Sequence, residues 1–127
     1  MILCDTDILI EFYKNNSAIV EELRAIGQSA LAVSVITQAE LYFGALNKPE
    51  LFRIRRHLGL IQRYPLDTVI SERFIDLMET YSLSHGLAIP DALIAATALV
   101  HSRELFTLNT RDFRFIAGLS LYVPKTR

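Results

Sequence analysis

The chain has 127 residues, of which 51% are hydrophobic and 21% charged, and its formal net charge is −1. This composition excludes disordered, collagen-like and low-complexity chains, and the length predicts a single domain over residues 1–127. One cysteine, Cys4, excludes an internal disulfide. No apolar stretch is long enough to cross a bilayer, and the acidic residues that follow Cys4 argue against a signal peptide. We therefore expect a cytoplasmic protein with no membrane partner.

Short apolar runs alternate with amphipathic segments along the chain, as in proteins whose strands alternate with helices. The apolar runs predict strands at residues 1–4, 31–36, 65–67, 104–108 and 120–123. Helical spacing of apolar residues predicts helices at 6–14, 18–26, 37–46, 50–63, 71–84 and 90–102. This order predicts an α/β fold with a mostly parallel sheet of four to five strands.

Four acidic residues lie close to the ends of predicted strands. Asp5 follows the first strand, and Glu40 lies in the helix after the second. Asp91 opens the most apolar helix, and Asp112 comes after the fourth strand. Parallel α/β sheets bind their ligands outside the carboxyl ends of the strands. These four acids are therefore candidates for one site.

Each of these acids also has a purely structural interpretation. Thr37 and Glu40 fit a capping box, in which Glu40 accepts a hydrogen bond from the Thr37 backbone N–H. Asp5, Asp91 and Asp112 occupy positions where the helix dipole favours a carboxylate. Together, however, several carboxylates at one edge repel each other and raise one another's pKa unless a cation lies between them. An all-oxygen set favours Mg²⁺ or Mn²⁺, and the pattern indicates metal-assisted phosphodiester hydrolysis.

Four segments carry a family resemblance. The segments are residues 3–7 (LCDTD), 34–41 (SVITQAEL), 89–96 (IPDALIAA) and 106–113 (FTLNTRDF). In this order they resemble the four signatures of PIN-domain ribonucleases, and the compact length is similar to that of VapC-type toxins of prokaryotic toxin–antitoxin pairs. The resemblance implies a three-layer α/β/α sandwich and an Mg²⁺-dependent endoribonuclease. It also implies a homodimer and inhibition by a small antitoxin protein.

The resemblance assigns roles to individual positions. It implies that the catalytic residues and metal ligands are Asp5, Glu40, Asp91 and Asp112, with Asp5 and Asp91 foremost, and that polar support comes from Thr6, Thr107 and Asn109. Two positions depart from the family pattern. Asp7 stands where members more often have Asn or Ser, so that it either adds a ligand or caps the first helix. Asn109 stands where some members have another acid, so that the number of bound metal ions, one or two, is left open.

A net charge of −1 argues against a nucleic-acid partner, but the argument weakens when the candidate site acids are left out of the count. Of the 14 acidic residues, five are the four candidates and Asp7. The remaining 9 are fewer than the 13 basic residues. Arg111 and Arg114, beside Asp112, are candidates to contact RNA phosphates. His85 and His101 are predicted to be packing or surface residues.

Two other functions fit parts of the sequence. Asp5-Thr6-Asp7 also fits a haloacid-dehalogenase-type phosphatase, which forms an aspartyl-phosphate, although no lysine is convincingly placed for that chemistry. A catalytically inactive PIN fold that only binds RNA is the non-enzymatic alternative, and the presence of all four acids argues against it.

The helix that bears Glu40 also predicts a protein partner. Leu41, Tyr42 and Phe43 are consecutive, and a single helix cannot turn all three side chains toward one core. We therefore expect Tyr42, Phe43 or their neighbours to contact a second subunit or an antitoxin helix.

Overall fold

A four-stranded sheet lies at the centre of the structure, a computed structural model that describes residues 1–125. Its strands are β1 (Ile2–Cys4), β2 (Leu31–Ser34), β3 (Gln62–Tyr64) and β4 (Glu104–Phe106), in the spatial order β3-β2-β1-β4. All neighbouring strands are parallel, and Leu3 of β1 lies opposite Ala32 of β2 and Leu105 of β4. The predicted α/β class and parallel sheet are confirmed.

Six helices connect and flank these strands. They are α1 (Thr6–Tyr13), α2 (Ser17–Ile26), α3 (Val35–Phe43), α4 (Lys48–Leu58), α5 (Thr68–His85) and α6 (Ile89–His101). A polar residue caps each of the first five by accepting a hydrogen bond from a backbone N–H of the first turn; these caps are Asp5, Asn16, Ser34, Asn47 and Asp67. No helix in residues 1–125 is long and apolar enough to cross a membrane.

The two faces of the sheet carry separate hydrophobic clusters, because successive side chains of a strand point to opposite faces. Leu3 and Leu105 belong to one cluster with residues of α5 and α6. Cys4 and Phe106 belong to the other, with residues of α1, α2, α3 and α4. The alanines of α6 are buried and let this helix pack closely. The predicted three-layer α/β/α sandwich is thus confirmed.

The predicted helix at 50–63 and strand at 65–67 are both misplaced. The helix ends at Leu58, where Gly59 closes the last turn, and β3 runs from Gln62 to Tyr64. The spacing of apolar residues predicted a longer helix because Ile61 continues the helical pattern. Ile61 is buried, but it lies between α4 and β3. Pro65 follows β3 directly, and because proline has no N–H it cannot extend the ladder.

The predicted fifth strand at 120–123 is reduced to a single parallel bridge between Leu105 and Leu121. Two backbone hydrogen bonds hold it, Leu105 N–H to Ser120 at 2.9 Å and Tyr122 N–H to Leu105 at 2.8 Å. Pro124 follows immediately and offers no N–H for a further bond. The second predicted strand, 31–36, is also shorter, because Ser34 caps α3 and starts the helix at Val35.

Candidate functional site

Asp5 lies directly after β1, and 6% of its surface is exposed. Its Oδ1 accepts a hydrogen bond from the Thr6 N–H at 2.8 Å, and its Oδ2 accepts one from Thr107 Oγ1 at 2.7 Å. Burial raises the pKa of Asp5 above its ordinary value, against the opposing effect of these two hydrogen bonds. The negative charges of Glu40 and Asp112 raise this pKa further. Asp5 is therefore held rigidly in an acidic environment.

Glu40 joins the same site through Thr6. The Thr6 hydroxyl donates a hydrogen bond to Glu40 Oε1 at 2.7 Å, and it lies 3.1 Å from Thr37 Oγ1. The predicted capping box is wrong, because the cap of α3 is Ser34, whose Oγ accepts from the Thr37 N–H at 3.2 Å. With that position occupied, Glu40 lies in the second turn of α3 and is free to face Thr6 and α1.

Asp91 and Asp112 complete the acidic cluster. Asp91 lies in the first turn of α6, and Asp112 lies in a short 3-10 turn, Thr110–Asp112, after β4. Burial raises the pKa of Asp91 to about 6, and the charges of Asp5, Asp112 and Glu40 add to this effect. All four predicted acids are thus brought within electrostatic reach of one another at the carboxyl edge of the sheet.

Asp7 points to the loop that follows β4. Its Oδ2 accepts hydrogen bonds from the Leu108 N–H and from Asn109 Nδ2, each at 3.1 Å. Its Oδ1 is buried without a hydrogen-bond partner in residues 1–125. Burial raises the pKa of Asp7 to about 6, and the charge of Asp5 adds to it. Asp7 therefore ties α1 to the loop of Asn109.

Thr107 links these groups. Besides its bond to Asp5, its Oγ1 accepts a hydrogen bond from the Asn109 N–H at 3.0 Å. Asn109 in turn donates to Asp7, so that it supports the site through the loop. Thr6, Thr107 and Asn109, the three predicted supporting residues, are all in hydrogen-bond contact with acidic residues of the site.

The charge of the cluster suits a hard cation. No lysine or arginine of residues 1–125 forms a salt bridge with any of the four acids. Within the same residues, no group of three or more His, Cys, Asp or Glu side chains is assembled to hold a metal ion. The donor set is nevertheless all oxygen, partly buried and uncompensated. Such a set fits a cation that one or two carboxylates bind while it keeps several waters, as Mg²⁺ does.

A cleft of about 570 Å³ opens beside the acids. Its walls include Asp91 and Asp112, both predicted arginines, Arg111 and Arg114, and also His85. The arginines are exposed, as a contact with a phosphate backbone requires. His85 is exposed and stacks on Phe115, as predicted for a packing or surface residue, and the sequence offers no local signal for its place in the cleft. His101 does pack, stacked on Tyr64 with ring centroids 3.9 Å apart.

Sequence reasoning missed the polar layer under the acids. Ser34 and Thr37 are both fully buried, and the two hydroxyls lie 3.5 Å apart. The signal was the spacing Ser-x-x-Thr at the end of an apolar run, because serine is a favoured N-cap. These residues fix the start of α3 and hence the direction of Glu40.

Comparisons with known proteins identify the family of the chain. The PIN domain family matches residues 2–119. Ribonuclease VapC10 of Mycobacterium tuberculosis is 37% identical over 115 residues, which cover 89% of this chain and 86% of that protein. A toxin-antitoxin complex from Klebsiella pneumoniae contains a chain that is 33% identical, with full coverage of both chains and a TM-score of 0.83. FitAcB from Neisseria gonorrhoeae is 29% identical over 98% of each chain, with a TM-score of 0.81. The chain belongs to the PIN domain family.

Proposed function

We propose that the chain is a divalent-metal-dependent endoribonuclease that hydrolyses RNA phosphodiester bonds, and that residues 1–127 form its single domain. The observation that supports this most is the cluster of Asp5, Glu40, Asp91 and Asp112, in which burial and mutual repulsion raise the pKa of Asp5 and Asp91. Three separate strand ends and α6 contribute to the cluster, and no basic residue of the described chain neutralises it. Its relative VapC10 is named a ribonuclease.

Asp5 and Asp91 are the principal ligands of Mg²⁺ or Mn²⁺ in this proposal, and Glu40 and Asp112 complete the acidic set through the waters that the ion keeps. When bound, the metal lowers the pKa of a coordinated water and stabilises negative charge on the phosphate. Thr107 holds the Asp5 carboxylate from β4, and Thr6 holds Glu40 from α1. These hydroxyls fix the orientation of the ligands before the metal arrives, which lowers the cost of assembling the site.

Arg111 and Arg114 bind the RNA backbone. Both are exposed in the cleft that contains Asp91 and Asp112, and neither forms a salt bridge within residues 1–125. Their guanidinium groups can therefore pair with phosphate oxygens in a bidentate manner. This draws a polyanion toward a site whose own carboxylates would otherwise repel it.

An apolar groove between α1, α3 and α4 is the proposed antitoxin surface. Its volume is about 310 Å³, and its apolar walls include Ile10, Tyr13, Leu41, Leu46 and Ile54. Leu46 in this wall is 86% exposed, and Phe43, which precedes the lining residue Gly44, is 94% exposed, as expected for side chains that await a partner. Glu40 also lines this groove, so that a bound antitoxin helix would lie next to the acidic cluster and inhibit it.

A second apolar surface supports a homodimer. On α5, three large apolar side chains are exposed, namely Val69, Ile75 and Leu83. Val69 and Leu83 lie within about 40° of each other around the axis of α5 and outside the antitoxin groove, and this side of the helix is the proposed surface for a second copy of the chain. The cytoplasm of a prokaryotic cell is the proposed location of the pair.

The alternative functions are less well supported. An aspartyl-phosphate mechanism of this type usually uses a lysine near the nucleophilic carboxylate, and no lysine of residues 1–125 forms a salt bridge with Asp5 or lines the cleft. Membership of the PIN domain family also argues against the phosphatase. An RNA-binding module without activity would retain the basic cleft but would not require the uncompensated acids.

The decisive test uses the purified chain, without its antitoxin, on total RNA with Mg²⁺ or with EDTA. We expect cleavage with Mg²⁺ alone, and products with ordinary phosphate and hydroxyl ends, since water is the nucleophile. Ends bearing 2′,3′-cyclic phosphate would contradict water attack. RNA binding with no cleavage under either condition would favour the inactive module, and a trapped phosphoryl-enzyme would favour the phosphatase.

A further inference from the structure

The cleft beside the acids is lined by aromatic as well as charged side chains. Besides Asp91 and Asp112, its walls include His85 and Phe115. The two rings are stacked, with centroids 4.2 Å apart and planes 10° from parallel. Phe115 cannot bind a metal ion, and within residues 1–125 His85 is not grouped with the acids as a set of metal ligands. The stacked pair is therefore available to another kind of ligand.

The position of the His85 ring is fixed from several sides. Tyr81 packs edge-on against both His85 and Phe115, at 5.7 and 5.2 Å between centroids. The Tyr81 hydroxyl accepts a hydrogen bond from the Ala117 N–H at 2.9 Å, and Ser84 Oγ lies 2.8 Å from His85 Nδ1. A surface ring that is held this firmly presents a preorganised flat face, which lowers the entropy lost when a ligand stacks on it.

The accessible part of this cluster belongs to the cleft. Phe115 is half-buried beneath His85, whereas His85 is exposed. One face of the His85 ring packs on Phe115, so that its opposite face remains for a ligand. Arg111 and Arg114 line the same cleft and form no salt bridge within residues 1–125. A flat ring with free guanidinium groups beside it is the combination that binds an unpaired nucleobase and its phosphates.

We propose that His85, supported by Phe115, is a stacking platform for an unpaired nucleobase next to the scissile phosphate, with Arg111 and Arg114 on the flanking phosphates. This inference rests on the proposed ribonuclease function and assigns base binding to one residue of the cleft, His85. Bases inside a duplex have no free face for His85, because their neighbours already stack on them. A duplex can therefore engage the arginines but not the platform.

Binding measurements test this independently of cleavage. An Asp91→Asn background in Mg²⁺ keeps the RNA intact, and fluorescence anisotropy compares a short unstructured RNA oligonucleotide with a duplex of the same sequence. In this background His85→Ala should weaken binding of the single strand about 5- to 100-fold and leave duplex binding within about twofold. His85→Phe should restore the single-strand affinity, because it keeps the ring without the imidazole.

Phe52→Ala is the matched control, since Phe52 is an exposed aromatic residue on α4 outside the cleft. It should bind both RNAs like the background protein, and thermal melts establish that each variant is folded. Unchanged single-strand binding by His85→Ala overturns the proposal, as does an equal loss for strand and duplex or a failure of His85→Phe to restore binding. If the wild type cleaves no RNA but His85→Ala still loses the single strand selectively, the ribonuclease function fails and the platform stands.

Discussion

Thr6 and Glu40, which are 34 positions apart in the sequence, are joined by a hydrogen bond of 2.7 Å from the Thr6 hydroxyl to Glu40 Oε1. Thr6 is the first residue of α1, directly after Asp5, and Glu40 lies on α3. The bond therefore couples the elements that follow β1 and β2. The bond fixes the orientation of Glu40, one proposed ligand, through Thr6, which is the chain neighbour of Asp5, another proposed ligand.

Replacing Thr6 with Val should remove this coupling while preserving the shape of the side chain. We expect Mg²⁺ affinity, measured by titration calorimetry or by the Mg²⁺ dependence of cleavage, to fall about 10- to 100-fold, since Glu40 loses the donor that orients it. Thr6→Ser keeps the hydroxyl and should stay close to wild type. Unchanged affinity in Thr6→Val, or an equal loss in Thr6→Ser, would contradict an orienting role for the hydroxyl.

Asp7→Asn should stabilise the metal-free protein at neutral pH. The amide oxygen can still accept from Leu108 and Asn109, and the substitution removes a carboxylate whose pKa burial raises to about 6. Because the side chain is only partly buried, we expect a gain of about 1 kcal/mol in the free energy of unfolding at about pH 8 and little gain at about pH 4. Urea denaturation at both pH values measures this, and destabilisation at about pH 8 would contradict it by showing that the loop needs the charge.

Without a divalent cation, the stability of the wild type should decline as the pH rises from about 4 to about 7. The folded-state pKa values of Asp7 and Asp91 are raised from 3.8 to about 6, so that the folded protein binds more protons than the unfolded chain in this window. Proton release then favours unfolding. Mg²⁺ should restore more stability at about pH 7 than at about pH 5, because only ionised carboxylates bind it.

Denaturation curves in EDTA across this range, for wild type and Asp91→Asn, isolate the contribution of Asp91. We expect the difference between them to grow with pH to about 1 kcal/mol in favour of the variant. His57, whose pKa burial lowers, acts in the opposite direction, but it is present in both proteins and cancels. A difference that stays constant with pH would mean that Asp91 is not under charge repulsion.

Phe43→Glu should separate inhibition from catalysis. Phe43 is 94% exposed, so that its replacement should change the free energy of unfolding by less than about 0.5 kcal/mol and leave RNA cleavage intact. Inhibition by the antitoxin should weaken at least about 30-fold if this ring is an anchor of the interface. Leu60→Glu, at an exposed position between α4 and β3, is the matched control and should be inhibited normally. Full inhibition of Phe43→Glu would place the antitoxin elsewhere.

The parts of the fold that local patterns determine were predictable from the sequence. β1 and Asp5 come from an apolar run that ends in an acid, and the alanine-rich α6 is buried as its composition indicates. The end of α4 was not predictable from periodicity, because Ile61 keeps the helical spacing beyond Leu58.

Contacts between distant segments set the remaining features of the site. Asp7 meets Asn109 across 102 positions, and no pattern within either segment specifies that contact. Likewise His85 reaches the cleft only because α5 ends at Gly86, whose φ of 65° turns the chain toward α6. Such positions depend on how whole helices and strands pack against each other, and the spacing of residues within one segment does not specify this packing.

The central claim, that Asp91 serves a metal-dependent site and not merely the first turn of α6, is tested most directly by RNA cleavage with Asp91→Asn. Asp76→Asn, which neutralises an exposed acid on α5, is the matched control. We predict that Asp91→Asn loses most cleavage, melts at least as high as wild type in EDTA and gains less from Mg²⁺, while Asp76→Asn behaves like wild type. Retained cleavage together with a loss of up to about 2 kcal/mol of stability, the pattern of a helix-capping residue, would contradict the account.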